Sequence, residues 1–258
     1  FIRHLNLMNY TASFFRNALP AWKKRKEFIL ARLLFREPSF YLTAFCANMH
    51  IKANTVSYFS VLVAIAGATC FLVPLYEVRV LGALFVWFWS ILDCVDGNLA
   101  RTIEKQLFGT FADAMSSYIL VGVICTAIGV SVYYEGGLFV GPNNIWMIVL
   151  GAYASSCDTL MRLIYQKYKT TEIELAKQGL IEIDYEKRID ETQTGSWKVR
   201  LESWLGIDGL LNIGIFVATV FHSLDLVVFY CVLYYGGAFF LSTINIVMKA
   251  IRKARNNS

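Results

Sequence analysis

The sequence predicts an all-α integral membrane protein, with six transmembrane helices preceded by N-terminal amphipathic interfacial helices. Of its 258 residues, 57% are hydrophobic and only 17% are charged, whereas soluble domains are typically about a quarter charged. Six stretches are long enough to cross a membrane, because a span needs about 20 predominantly apolar residues. They are approximately residues 54–75, 79–100, 108–133, 143–165, 207–223 and 226–249. A soluble helical bundle would have to bury all six stretches within a mass of 29.3 kDa.

The positive charges predict the orientation of these spans. All but one of the 24 Lys and Arg residues lie before the first span, between the second and third, within 162–205, or from Lys249 onward. The exception is Arg79. Since cytoplasmic loops carry an excess of Lys and Arg, both termini and residues 162–205 should face the cytoplasm, as should the end of span two and the start of span three. Loops beside anionic lipid explain the formal net charge of +5, and no nucleic-acid partner is needed.

Residues 1–50 are expected to form two amphipathic helices on the membrane surface, because aromatic residues accompany a basic run at 23–26. The first helix places Phe1, Leu5, Met8 and Phe15 on one side, and the second begins near Pro20 and ends by Pro38. An ordinary positively charged flank of the first span explains the same pattern.

The predicted six-helix domain occupies residues 51–250, and a cytoplasmic tail, 251–258, follows it. Its one long polar insertion, 166–205, mixes acidic and basic residues, which favours a solvated helical hairpin or loop. Such a loop acts either as a substrate lid or partner surface, or as a passive connector. The six cysteines form no CxxC pair or Cys/His cluster, which argues against zinc and disulfides and favours buried small hydrophobic residues.

Three aspartates stand where the second span ends and the third begins. At helical spacing, Asp93, Asp96, Gly97, Ala100 and Arg101 share one face, while Gly109, Asp113 and Ser117 line a second. Carboxylates are costly in a membrane and need a partner, and too few intramembrane cations are present for structural ion pairing alone. The two faces therefore predict an oxygen-lined cavity in which Asp93, Asp96 and Asp113 bind Mg²⁺ or Mn²⁺, with two ions favoured.

The other positions on these faces have physical reasons of their own. Gly97 and Ala100 would leave room for a nucleotide along the second helix. Gly109 would permit close approach of the third helix. Arg101 can hold a phosphate oxygen through its guanidinium. Together with metal-bound carboxylates, this set suits chemistry at a pyrophosphate, whose charge the ions would neutralise as the phosphoanhydride breaks.

The string Asp93-x2-Asp96-Gly97-x2-Ala100-Arg101, followed by Gly109-x3-Asp113, resembles the signature of the CDP-alcohol phosphotransferase family. The segment from Lys52 to Ser57 looks like that family's T-P-N-x-V-T. The resemblance implies metal-dependent transfer of a substituted phosphoryl group from a cytidylyl-linked donor to a lipid or polar alcohol acceptor, with release of CMP. It also implies a homodimer and a cytidine-binding role for Asn54, which otherwise caps its helix. The chain starts at Phe1 without a methionine, which leaves room for an upstream or partner cytidylyltransferase.

One position departs from the family pattern, because the expected fourth aspartate is Ser117. In the family that carboxylate is taken to deprotonate the acceptor hydroxyl, which a serine cannot do without an activator. Either the acceptor is activated in another way, or the protein is a catalytically silent member that binds nucleotide or scaffolds a complex, or another acid substitutes. Asp158 is the candidate acid, with Arg162 one turn away on an acceptor phosphate. The alternative is that this Asp and Arg only pair with each other.

A divalent-cation or nucleotide transporter would also carry intramembrane carboxylates. Such a protein requires polar residues through the far halves of its spans, whereas 124–132 and 216–220 are almost purely apolar. The sequence therefore favours an enzyme of phospholipid or related lipid head-group synthesis, working at the cytoplasmic face of a membrane.

Overall fold

The computed structural model describes residues 9–182, 201 and 203–256, and within these residues the secondary structure is helical. The short N-terminal helices are α1 (Ala12–Ala18), α2 (Ala21–Lys26), α3 (Ile29–Ala31), a π-helical turn (Arg32–Arg36) and α4 (Glu37–Asn48). The helices that follow are α5 (Ala53–Phe71), α6 (Tyr76–Thr102), α7 (Gly109–Glu135), α8 (Ile145–Lys177), α9 (Leu210–Val220) and α10 (Leu224–Asn256).

Six of these segments are long and apolar enough to cross a membrane, as the sequence predicts. They are α5 to α8, Ser203–Val220 with α9 at its end, and Leu224–Arg255 within α10. The helices of the fourth and sixth spans, α8 and α10, extend well beyond their apolar stretches. Their polar extensions pack together, with Lys253 of α10 ion-paired to the buried Glu172 of α8. The start of the polar insertion is thus a continuation of α8, and residues 183–200 lie outside the described part of the chain.

The N-terminal region is helical, but its boundaries differ from the prediction. α1 buries Phe15 against the core, while Phe1, Leu5 and Met8 lie outside the described residues. The expectation that the second helix ends by Pro38 is wrong. The chain stops being helical at Glu27, resumes at Ile29 and then continues through Pro38 to Asn48. The π-helical turn before Pro38 explains this, because a widened turn accommodates a proline that lacks a backbone N–H.

Close contacts between helices depend on small residues. A Cβ atom on Gly129 of α7 would lie 2.4 Å from the Met147 carbonyl oxygen, and one on Gly151 of α8 would lie 2.3 Å from the Cys125 carbonyl oxygen. These two glycines let α7 and α8 approach at backbone distance, as small residues do in membrane helix pairs. The six cysteines carry no disulfide, and five of them are buried, as expected for small hydrophobic residues.

Buried hydrogen bonds join the spans on the side of α6 where the aspartates lie. The Trp89 indole N–H of α6 donates to Ser116 Oγ of α7 over 2.8 Å, and Ser116 also contacts Ser60 of α5. Asn212 of α9 donates through Nδ2 to the Val86 carbonyl of α6 over 3.0 Å and to Ser90 Oγ. Because Ser90 lies one turn before the first aspartate, these bonds place the start of α9 beside the acidic part of α6.

The opposite end of the bundle carries a separate polar cluster. Arg79, at the start of α6, is buried and forms an ion pair of 2.6 Å with Glu135 at the end of α7. His222, between α9 and α10, contacts the same carboxylate. Arg79, the one Lys or Arg that lies apart from the others in sequence, is therefore neutralised by a neighbouring carboxylate.

Candidate metal and nucleotide site

Three carboxylates converge where α6 ends and α7 begins. Asp93, Asp96 and Asp113 each offer one oxygen within 4.8 Å of the others. Asp96 is only 5% exposed, Asp93 is half-buried and Asp113 is exposed. α6 contributes the first two aspartates less than three turns before its end, and α7 contributes the third in its second turn. The two helical faces predicted from residue spacing therefore meet, with one side of the cluster open.

Asp96 is held by a residue that the sequence analysis did not assign to the site. The Ser57 hydroxyl of α5 donates to Asp96 Oδ2 over 2.6 Å, and both side chains are buried. A hydrogen bond to an ionised acceptor is stronger than a neutral one, so it fixes the orientation of the carboxylate. The family-like segment from Lys52 to Ser57 was the available signal, since its last residue makes this contact.

Asn54 joins the start of α5 to the loop between α6 and α7. Its backbone N–H donates to Gln106 Oε1 over 3.0 Å, and its Nδ2 donates to the Leu107 carbonyl over 2.8 Å. The interpretation of Asn54 as a helix cap is wrong, because Lys52 is the N-cap residue and Asn54 lies inside the helix.

The Asn54 side chain leaves one atom without a hydrogen bond. Its Oδ1 is buried and has no hydrogen-bond partner among the described residues, and a Cβ atom on Gly109 would lie 3.3 Å from it. An unpaired buried acceptor is costly, so this oxygen is suited to accept a hydrogen bond from a ligand.

Arg101 and Gly97 occupy one patch of α6. A Cβ atom on Gly97 would lie 3.0 Å from Nη1 and 3.1 Å from Nη2 of Arg101. The guanidinium thus lies against the glycine backbone, and its Nη2 donates to Asn98 Oδ1 over 3.1 Å. Ala100 instead packs against the hydrophobic core. The patch therefore provides the Arg101 cation beside the acidic cluster, and a side chain in place of Gly97 would interfere with that guanidinium.

The remaining predicted residues lie further along α7 and α8. Ser117 donates its hydroxyl to the Ala114 carbonyl of its own helix over 3.1 Å. Asp158 is buried and pairs with Arg162 at 2.5 Å, as the self-pairing alternative predicts. The Arg162 guanidinium also lies 4.8 Å from the centre of the Tyr118 ring. The group of three carboxylates does not include Asp158, and its role with an acceptor stays a prediction.

A cavity of about 140 Å³ lies between the N-terminal helices and Asp93. Its lining residues come from four parts of the chain: Trp22, Lys23, Glu27, Ala31, Phe35, Arg36, Ser90, Asp93, Cys94, Ser203 and Asp208. Arg36 is buried here, ion-paired to Glu27 and within 3.3 Å of Asn98 Oδ1. The basic run at 23–26 was interpreted either as part of a helix on the membrane surface or as a flank of the first span, and its Lys23 lies within electrostatic range of all three aspartates.

The environment of Lys23 differs from that of a surface lysine. Burial lowers the pKa of its ammonium group, and the nearby Arg36 and Arg101 lower it further. Lys23 and Arg101 together cannot balance three carboxylates that lie within 4.8 Å of one another, because like charges at this separation repel strongly in a buried site. The donor set consists of hard oxygen ligands, which Mg²⁺ and Mn²⁺ prefer. The residues present therefore fit divalent cations.

Fold and site together define a class of protein: a helical membrane protein whose cation-competent acidic site lies where two neighbouring spans meet at one end of the bundle. The sequence model of the CDP-alcohol phosphatidyltransferase family matches residues 50–192, which is more than half of the chain. The protein belongs to this family. No curated protein matches the sequence. The family transfers a phosphate-linked group from a CDP-alcohol to an acceptor alcohol in membranes, and it is generally metal-dependent.

Proposed function

We propose that this protein catalyses metal-dependent transfer of a substituted phosphoryl group from a CDP-linked donor to an acceptor alcohol, with release of CMP. The observation that supports the proposal is the convergence of Asp93, Asp96 and Asp113 at the junction of α6 and α7. The acceptor oxygen attacks the β-phosphorus of the donor, a new P–O bond forms, and the phosphoanhydride bond to CMP breaks. The acceptor gives up its hydroxyl proton to a base, and CMP carries away the electron pair of the broken bond.

The chain's own residues provide binding and orientation in this reaction. Divalent cations, when bound by the three aspartates, supply charge neutralisation at the pyrophosphate. Ser57 holds the Asp96 carboxylate in place, and Arg101 offers a guanidinium to a phosphate oxygen. Asn54 presents its unpaired Oδ1 to a donor hydrogen, such as that of the cytosine amino group. Arg162 lies on the adjoining helix, where it would bind an acceptor phosphate.

The donor belongs to one of two types. It is CDP-diacylglycerol used with a polar acceptor, or a CDP-linked polar head group used with a lipid acceptor. Both place the enzyme in phospholipid or related lipid head-group synthesis. The distribution of Lys and Arg supports a site that opens toward the cytoplasm. A homodimer and a cytidylyltransferase partner stay predictions that follow from the family resemblance alone.

A catalytically silent member is the second candidate, and Ser117 is the observation that favours it. This residue stands where the family has its presumed base, and its hydroxyl is bonded to its own helix. A silent member would retain metal and nucleotide binding through the three aspartates and would release no CMP.

CMP release from reconstituted protein distinguishes the two candidates. Purified protein in lipid is supplied with each type of cytidylyl donor, acceptors of both classes, and Mg²⁺ or Mn²⁺. We expect CMP formation that falls at least about a hundredfold in Asp96→Asn, since a catalytic metal contributes several kcal/mol and each 1.36 kcal/mol is tenfold in rate. If no donor gives more CMP than Asp96→Asn does, the enzymatic proposal fails and the silent candidate stands.

A further inference from the structure

We propose that Asp208, in the turn at the start of the fifth span, supplies the fourth carboxylate of the acidic site. It would take the place of the family aspartate that Ser117 replaces. This inference rests on the proposed function only in assuming that the site binds divalent cations. It assigns a metal-site role to a residue that lies outside both motif helices.

Asp208 lies beside the three motif aspartates. It lines the same cavity as Asp93, and its carboxylate is within electrostatic range of both Asp93 and Asp113. Asp208 is exposed and lies outside the group of three carboxylates within 4.8 Å of one another, so it approaches that group from the side of the cavity that it shares with Asp93.

The packing of α9 on α6 explains how a residue so distant in sequence reaches the site. Asn212 is bonded to the Val86 carbonyl and to Ser90 Oγ of α6, which fixes how α9 lies along that helix. Asp208 lies in the turn that leads into α9, four residues before Asn212. Asp93 follows Ser90 by about one turn. Since the two helices run in opposite directions, these two steps bring Asp208 alongside Asp93.

The turn that carries Asp208 is closely packed. A Cβ atom on Gly209 would lie 2.3 Å from the Trp204 carbonyl oxygen, so only glycine fits at that position. The Gly209 N–H donates to the Gly206 carbonyl over 3.0 Å, and the Tyr230 hydroxyl of α10 donates to the Leu205 carbonyl over 2.7 Å. Ile207, next to the aspartate, is buried. The turn thus presents Asp208 from a fixed backbone, which is what a metal ligand requires.

Ser117 is a poor substitute for a carboxylate at the same site. A neutral hydroxyl that donates to the Ala114 carbonyl brings no negative charge toward the cations. Two divalent ions carry four positive charges, and three carboxylates with the nearby Lys23 and Arg101 balance only one of them. A fourth carboxylate from Asp208 improves this balance and adds oxygen ligands that hard cations need.

Direct Mn²⁺ binding to the full chain tests the inference. Mn²⁺ titration followed by electron paramagnetic resonance, on protein in lipid nanodiscs, gives affinity and stoichiometry without any substrate. We expect Asp208→Asn to weaken binding about tenfold or more, or to remove one ion, in line with the effect of losing a supporting metal-site group. Glu104→Gln is the matched control, because it makes the same charge change at an exposed position of the loop between α6 and α7. It should bind as the unsubstituted protein does.

A rescue experiment separates a ligand role from a structural one. Ser117→Asp in the Asp208→Asn background returns a carboxylate to the family position, and we expect it to restore most of the Mn²⁺ affinity. A merely structural aspartate would not be rescued from a different helix. Asp208→Asn protein that binds Mn²⁺ as tightly as the unsubstituted chain, or a double variant that stays as weak as the single one, would overturn the inference. If the unsubstituted chain itself binds no Mn²⁺, the inference and the metal-dependent function both fail.

Discussion

Lys23 places a positive charge next to the three aspartates, whose carboxylates suit cations. It reaches this position because α2 packs over the cavity that Asp93 lines. An ammonium group there partly offsets the repulsion among the aspartates, and it also repels any divalent ion that they bind. Its effect on metal binding is therefore opposite to that of the acidic residues.

Removal of the Lys23 charge should strengthen metal binding. We expect Lys23→Met to tighten Mn²⁺ binding several-fold, because even at a high effective dielectric a neighbouring charge contributes on the order of 1 kcal/mol. Lys24→Met is the control, since Lys24 is exposed and makes the same charge change one residue away. Mn²⁺ titration at low and high salt measures the effect, which should shrink as salt screens the charge. Equal affinities for the two variants would show that Lys23 does not act on the site.

Among the elements, the packing of α7 against α8 depends most directly on contact between the two backbones. Each helix has a glycine at which a Cβ would overlap a carbonyl oxygen of the other. α7 also carries Asp113, so the way it packs determines where the third carboxylate lies relative to the two on α6. Stability of this helix pair and geometry of the site are therefore linked.

Addition of one methyl group at the contact between α7 and α8 should destabilise the protein. Gly151→Ala would place its Cβ 2.3 Å from the Cys125 carbonyl oxygen, and the helices must separate to relieve the overlap. We expect a loss of about 1–3 kcal/mol, as for other overpacked cores, measured as a lower thermal unfolding midpoint in detergent or lipid. Gly214→Ala in α9 adds the same methyl where, among the described residues, no atom beyond its own stretch of helix lies within 4 Å. That variant should unfold at or above the midpoint of the unsubstituted chain, and equal destabilisation by both would contradict the packing argument.

Features that depend only on a local stretch of sequence were predictable. The apolar length of each span and the helical spacing of Asp93, Asp96 and Asp113 are local properties, and the structure agrees with both. The positions of Lys23 and Asp208 were not predictable, because each depends on how a distant segment packs against α6. Pro38 misled the boundary prediction for a related reason: the π-helical turn that accommodates it leaves no clear pattern in the sequence.

At the scale of the whole molecule, polar groups separate to opposite ends of the bundle. Arg79, Glu135 and His222 cluster at one end, and the aspartates and the cavity lie at the other. Between them the core is mainly apolar. A site confined to one end can exchange soluble substrate and CMP with only one compartment, and charge distribution indicates which one.

The loop between α6 and α7 should therefore face the cytoplasm, and the loop before α8 should face the opposite side. Lys105 and Gly141 test this, since both are exposed and a Cβ atom at Gly141 would have, apart from its chain neighbours, no atom of the described residues within 4 Å. With a membrane-impermeant maleimide on intact cells, we expect Gly141→Cys to react at once and Lys105→Cys to react only after permeabilisation. The unsubstituted chain provides the background, because its six cysteines are buried or half-buried. The reverse labelling pattern would place the acidic site on the outer face, where cytosolic CDP-linked substrates could not reach it.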